Sequence, residues 1–329
     1  MSQITRSIVT LALLLGGCTA ASTGTSPSPR SPVTTATIAI HLAGHIILGA
    51  NKVYNVANAD GTAVKPLHEP GQYCCLARIS PDHTRIITMP GTDETGGLRG
   101  GTLTLEGSEF ELLPRSDKTL NLVPQAWSPY GSRIAFEGWD ESDPTRTGIY
   151  TARATDGGDL VRVTTRLGRP HDMPLDYSPD GSQLVFYRAI RAEPNFPIDI
   201  GGSLWVVNAD GSDPHELDTG DVRPWWHARW SPDGPSIVFG IERLQLTGGL
   251  WNIKPDGSGL TKLFDDPDGG FPGAPVWSPD GRKIMFQIDP INDAFQHPDN
   301  AIYVINADGT GLTLVIDGPG RTGVTDWWD

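Results

Sequence analysis

A short signature, aromatic-Ser-Pro-Asp-Gly, recurs along this chain at a nearly constant interval, and no other feature restricts the fold as much. Full copies are Trp230-Ser231-Pro232-Asp233-Gly234 and Trp277-Ser278-Pro279-Asp280-Gly281, with Tyr177-Ser178-Pro179-Asp180-Gly181 close behind. Trp127-Ser128-Pro129-Tyr130-Gly131 and Ile79-Ser80-Pro81-Asp82-His83 are degenerate copies, and Asp326-Trp327-Trp328-Asp329 is a truncated sixth. The serine steps from 80 to 128, 178, 231 and 278 are 48, 50, 53 and 47 residues, and Trp277 to Trp327 is 50. A second turn interleaves with the first, as Asn58-Ala59-Asp60-Gly61, Asp156-Gly157, Asn208-Ala209-Asp210-Gly211, Asp256-Gly257 and Asn306-Ala307-Asp308-Gly309, with Glu106-Gly107 as a weak sixth. Each turn lies between short β-like runs. Pro presets φ in such turns and Gly accepts a positive φ.

Each period therefore reads as four strands. In the fifth unit these are about 227–230, 236–239, 250–253 and 261–264. Four strands per roughly 50 residues describes a blade of a β-propeller, a repeat that must stack on its neighbours to bury both faces. The predicted fold class is all-β, a six-bladed β-propeller with four-stranded blades. Residues 45–67 supply three strands and residues 323–328 the fourth, so the N-terminal strands close the ring by pairing with the C-terminal strand.

Composition agrees. Of 329 residues, 39 are Gly and 28 Pro; the 39 acids divide into 29 Asp and 10 Glu. Asp, Gly and Pro favour turns, whereas Glu favours helices. The formal net charge of −14, with only six Lys, argues against nucleic acid as a partner.

The N-terminus reads as an address. Residues 1–17 carry Arg6, then the apolar run Ile8–Leu15, and end in Leu15-Gly16-Gly17 before Cys18. The run is too short to span a bilayer as a helix and fits a signal-peptide core. Small residues directly before a Cys resemble the bacterial lipobox, which implies that Cys18 is lipidated and becomes the mature N-terminus. Loss of Arg6 would then leave 24 − 39 = −15. Residues 18–44, rich in Ser, Thr and Pro, read as a tether, and residues 45–329 as the propeller.

The paired Ser-Pro-Asp-Gly and Asn-Ala-Asp-Gly turns resemble the TolB-type propeller repeat, a relative of the WD-type repeat, across residues 45–329. TolB proper carries a separate α/β domain before its propeller. Only the short tether is available for one here, so the resemblance is to the propeller without that domain.

The turn rim reads as structural, and the aromatic that opens each signature as packing between blades. The opposite rim is built from irregular connections, which on rigid scaffolds commonly carry function. Loops 139–147, 189–202 and 289–300 offer Trp139, Arg191, Phe196, Phe295 and His297. Loops 165–173, 218–226 and 265–273, with their flanks, add His171, Asp172, Arg223, Trp225, Trp226, His227 and Phe271, and Arg321 stands just before the last strand. Aromatics beside Arg and acids suit a protein, peptide or glycan partner; the alternative is that several of them pin their own loops. Two residues before each signature serine, or its equivalent, lie Arg78, Ala126, Asp176, Arg229, Val276 and Asp326. Arg78, Asp176, Arg229 and Asp326 could form a charged ring on the axis, or pair locally within their own blades.

No Gly-x-Ser-x-Gly, Walker, His-Glu-x-x-His or Cys-x-x-Cys sequence occurs. Cys74-Cys75 reads as two buried thiols, since adjacent strand side chains point to opposite faces; the alternative is a vicinal disulfide, which needs a distorted peptide. The expected function is a non-enzymatic, membrane-anchored envelope lipoprotein, monomeric, without cofactor, whose propeller binds an envelope partner. The alternative is a metal-dependent propeller enzyme of the lactonase/esterase or sugar-acid lyase type. An axial metal would there be held by carboxylates such as Asp176 and Asp326, or by His171 and His227.

Overall fold

The computed structural model describes residues 42–50, 53–67, 74–92, 98–106, 109–167, 172–191, 199–241, 248–266, 270–289, 301–317 and 322–329. Twenty-four strands occur among them, in six blades of four. Blade one holds β1 (His45–Ala50), β2 (Val53–Asn58) and β3 (Lys65–Pro66), and its inner strand is β24 (Thr322–Trp328). Blade two is β4 (Cys74–Ile79), β5 (Arg85–Thr92), β6 (Leu98–Thr104) and β7 (Phe110–Leu112). Blade three is β8 (Asn121–Trp127), β9 (Arg133–Trp139), β10 (Gly148–Arg153) and β11 (Val161–Arg162). Blade four is β12 (Asp172–Tyr177), β13 (Gln183–Arg191), β14 (Asp199–Asn208) and β15 (His215–Glu216). Blade five is β16 (Pro224–Trp230), β17 (Ile237–Ile241), β18 (Gly249–Ile253) and β19 (Thr261–Asp265). Blade six is β20 (Phe271–Trp277), β21 (Lys283–Asp289), β22 (Ala301–Asn306) and β23 (Thr313–Ile316).

The ring closes as the repeat predicts. β1 pairs antiparallel with both β2 and β24, with His45 opposite Trp328 and Ile46 opposite Trp327. Hydrogen bonds between the chain's two ends therefore hold blade one together, and every blade gains two neighbours.

The core lies between blades. Val185, Leu204 and Val206 of blade four pack on Ala228, Trp230 and Phe239 of blade five, and Ile47, Tyr54 and Trp328 of blade one on Ala77, Ile86 and Leu103 of blade two. Phe186, Phe239 and Phe286 occupy the same position in the second strands of blades four, five and six, each fully buried. Blade two has Thr88 there, and its hydroxyl donates to Tyr54 Oη at 3.0 Å. The signature aromatics also tie blades together: Trp127 Nε1 donates to the Arg78 carbonyl and Trp277 Nε1 to the Arg229 carbonyl, both at 3.2 Å.

Turn chemistry explains the repeat. Ser178 Oγ donates to Asp180 Oδ1 at 2.6 Å and accepts the Gln183 N–H at 2.9 Å, while Asp180 Oδ1 also accepts the Ser182 N–H at 3.0 Å. Gly181 follows with φ 74°. These bonds, led by that from Ser178, pull the Asp180 carboxyl down to about 2. Asp82 and Asp280 are lowered in the same way by Ser80 and Ser278. In blade two His83 stands in the glycine place at φ 58°, where a side chain is strained.

A candidate binding site on the propeller axis and its loop rim

The inner strands β24, β4, β8, β12, β16 and β20 run along the axis, and alternate residues face it. From blade one to blade six the residues two before the signature serine, or its equivalent, are Asp326, Arg78, Ala126, Asp176, Arg229 and Val276. The order acid, arginine, small apolar residue thus occurs twice, once in each half of the ring.

The structure brings the four charged members together. Arg229 bridges both acids, with Nη2 3.1 Å from Asp326 Oδ1 and Nη1 3.7 Å from Asp176 Oδ1. Arg78 Nη1 and Arg229 Nη2 both donate to the Thr325 carbonyl, at 2.5 and 2.7 Å. Each acid also reaches into the next blade. Asp176 Oδ2 accepts the Trp230 N–H at 3.0 Å, and Asp326 Oδ2 accepts the Ile79 N–H at 2.9 Å. Their other oxygens accept the N–H of their own following residues, Tyr177 at 3.0 Å and Trp327 at 3.2 Å.

The Asp176, Arg229 and Asp326 side chains keep only 20, 11 and 17 % exposure, so the ring largely encloses them. Confinement sets the electrostatics. Burial, with Arg229 adding to it, lowers the Arg78 guanidinium to about 9, and its Nε is buried without a hydrogen-bond partner. Burial also raises Asp176 against the opposing pull of Arg229. Burial beside Arg78 and Arg229 holds His227, two residues before Arg229, down to about 3, so its ring is neutral near pH 7.

On the loop rim, several residues are engaged in bracing. Asp172 is fully buried; Arg188 grips it with Nε at 2.9 Å and Nη2 at 2.7 Å, and Arg166 adds a contact at 3.3 Å. Arg188 in turn lies over the Trp205 ring, 4.4 Å from its centroid. Trp139 is buried, and its Nε1 donates to Glu141 at 2.8 Å. Arg223 is exposed, whereas Trp225 and Phe271 are half-buried. Arg191 lies in β13 and Trp226 in β16, their side chains outside the described residues, as are His171, Phe196, Phe295, His297 and Arg321. Cys74 and Cys75 sit on β4 with side chains likewise outside the description.

Sequence reasoning missed the clamping arginines. Arg146 joins Asp140 at 2.8 Å to Asp117 and so ties the β9–β10 loop to the connection between blades two and three. The signal was weak, because an arginine in an irregular loop looks the same whether it braces or binds. Among the described residues no group of three or more His, Cys, Asp and Glu side chains gathers as a metal site requires. No helix among them is long and apolar enough to cross a membrane.

Comparison with known proteins places the fold. No protein-family model matches the chain. A putative TolB from Agrobacterium tumefaciens superposes with a TM-score of 0.62 at 20 % identity, covering 88 % of this chain and 94 % of that one. An oligogalacturonate lyase in complex with manganese superposes with a TM-score of 0.53 at 15 % identity, over 79 % of this chain and 69 % of the lyase. In sequence, an uncharacterized peptidase, YuxL of Bacillus subtilis, is 27 % identical over 159 residues, which is 44 % of this chain. This chain spans only about a fifth of that relative, 22 % of its length. The fold is a TolB-like six-bladed β-propeller.

Proposed function

We propose that the chain is a lipid-anchored envelope protein whose propeller is a non-enzymatic binding scaffold for a protein, peptide or glycan on the outer side of a bacterial membrane. The observation that carries this reading is the employment of the axial acids. Asp176 and Asp326 each accept two backbone N–H groups and face Arg229, so their oxygens serve to join blades. A catalytic carboxylate has to keep an oxygen for substrate, metal or proton. The rigid ring then presents its loop rim, with Arg223 exposed beside Trp225, to a partner. The acidic propeller would resist anionic surfaces, so the proposed lipid on Cys18 supplies the membrane attachment. Mass spectrometry of the membrane-extracted protein tests that step: a diacylated Cys18 is expected, and an unmodified N-terminus upstream of it would contradict it.

One observation favours a second reading. His227 lies within the electrostatic reach of Arg78 and Arg229, and the lyase that shares this fold is described in complex with manganese. Metal content decides between the readings. The scaffold predicts protein that binds no manganese, calcium or zinc stoichiometrically after dialysis. One tightly held ion per chain, with turnover of an oligogalacturonate, would establish the enzyme.

A further inference from the structure

Arg78 stands apart from the other three charged members of the axial ring. The order acid, arginine, small apolar residue occurs in both halves of the ring, so the contact of Asp176 with Arg229 in one half has its counterpart in Asp326 and Arg78 in the other. That counterpart does not form. Asp326 turns Oδ1 to Arg229 at 3.1 Å and Oδ2 to the Ile79 N–H at 2.9 Å. Arg229 thus faces both acids, and no described carboxylate is in ion-pair contact with Arg78.

A guanidinium offers five N–H donors. Among the described residues Arg78 uses one, from Nη1 to the Thr325 carbonyl at 2.5 Å, and shares that acceptor with Arg229 Nη2 at 2.7 Å. The acceptor exists because the pairing of β24 with β1 slips between Asp326 and Val324, and such a bulge leaves the extra residue, Thr325, out of the ladder. The rest of the Arg78 head is enclosed: the residue is 7 % exposed and Nε has no partner. Burying a charge is costly unless it is both paired and hydrogen-bonded. Neither condition is fully met here, and burial beside Arg229 draws the guanidinium down to about 9.

The next blade adds to the imbalance. Ala126 follows Arg78 in the ring where the bulkier Val276 follows Arg229. One residue before Ala126, at the slip in the pairing of β8 with β9, Gln125 is 4 % exposed and its Oε1 is also buried without a partner. Two adjacent inner strands, β4 and β8, therefore each bury a side chain with hydrogen-bonding capacity that the fold does not use.

The Nε–H and one Nη–H of a guanidinium lie side by side and match the two oxygens of a carboxylate. Asp176 and Asp326 would repel the second charge of a phosphate, which favours a monoanion. Both acids keep partial exposure, 20 and 17 %, so solvent reaches the ring. We propose that the propeller axis binds one carboxylate, held by the Nε edge of Arg78 and supplied by a free small acid or by a polypeptide. The site is separate from the loop rim, and its occupancy does not depend on the scaffold reading given above.

Thermal melts of the full chain near neutral pH, with acetate exchanged for chloride at constant ionic strength and acetamide as the uncharged probe, test this. Wild type should gain about 3 °C or more in Tm at saturating acetate and nothing from acetamide. Arg282→Ala, which removes an arginine that is 84 % exposed, should respond as wild type does, and Arg78→Met should not respond. In chloride alone Arg78→Met should be no less stable than wild type, because it removes a buried charge that has no counter-ion. Arg78→Lys keeps the charge without the planar fork and should need about tenfold more acetate. If Arg78→Met fails to fold, Arg78→Lys carries the comparison. A short peptide with a free C-terminus separates the two sources: a shift at lower concentration than acetate, lost on amidation, assigns the site to a polypeptide, and a shift no better than that of acetate assigns it to a free acid. No shift in wild type with acetate or the peptide would overturn the proposal, as would an equal shift in Arg78→Met or an unchanged acetate midpoint in Arg78→Lys.

Discussion

Asp326, three residues from the C-terminus, accepts the backbone N–H of Ile79 at 2.9 Å, and so joins the last strand of the chain to the inner strand of blade two. With Arg229 at 3.1 Å from its other oxygen, this carboxylate bonds blade one to blade two and to blade five across the axis. Replacing Asp326 by Ala should therefore cost about 1–3 kcal/mol, because it removes the nearer of the two acids that face Arg229 and leaves the Ile79 N–H without its acceptor. Urea denaturation should show a lower midpoint at unchanged slope. Asp326→Ala/Arg229→Ala should lose less than the sum of the single losses, a coupling of about 0.5–3 kcal/mol. Strict additivity would mean that the contact carries no energy.

Removing residues 323–329 deletes nearly all of β24, the inner strand of blade one. The exposed edge of β1 and the loss of Trp328 from its cluster with Ile47 and Ala77 should destabilise the whole ring, not one blade. The measurable outcome is a single cooperative transition displaced to lower temperature, or failure to accumulate folded protein. A truncated chain that keeps the full Tm would show that the ring does not depend on this closure.

Acid should act in two separable windows. His227 titrates near 6.5 when unfolded but only near 3 when folded, so the unfolded chain takes up a proton first. Stability falls as pH drops from about 6.5 toward 3, and His227→Gln should flatten that limb. Asp180 is held at about 2 in the fold, below its ordinary 3.8. Its contribution is present above about 3.8 and lost as pH falls toward 2, so Asp180→Ala should flatten only this lower limb. Thermal midpoints measured from pH 7 to pH 2 test both; an unaltered profile in either variant refutes its assignment.

The loop clamp predicts a local effect. Arg188 holds Asp172 through two hydrogen bonds with Asp172 fully buried. Arg188→Met should cost about 1–3 kcal/mol, because it leaves the buried carboxylate with only the longer Arg166 contact at 3.3 Å. Asp172→Asn/Arg188→Met should recover part of that loss. Hydrogen exchange should show faster opening at the start of β12 and the end of β13 before other blades respond.

The ring was legible in the sequence because turn chemistry repeats at a fixed interval. Ser178, Asp180 and Gly181 hydrogen-bond within a few residues, so their pattern survives without knowledge of the fold. The axial order of Asp326, Arg78, Asp176 and Arg229 was legible for a related reason: a constant offset from the signature serine puts them at one height on the inner strands. The loop rim was not legible. Asp172 looks like an available acid, yet Arg188, sixteen residues later, buries it through a strand register that no local pattern encodes. Tyr130 was visible as a defect in its repeat, but the groove it lines, between blades two and three, exists only once those blades are packed.

The most direct measurement of the scaffold assignment is site-specific photo-crosslinking in intact cells, with the reactive residue placed at Arg223 on the loop rim and, as control, at Lys254 on the turn rim. The account predicts a discrete adduct with one envelope component from position 223, absent from position 254 and preserved in an Asp176→Asn background that weakens the axial ring. No adduct from position 223, together with stoichiometric metal and turnover of an oligogalacturonate by the purified protein, would contradict it.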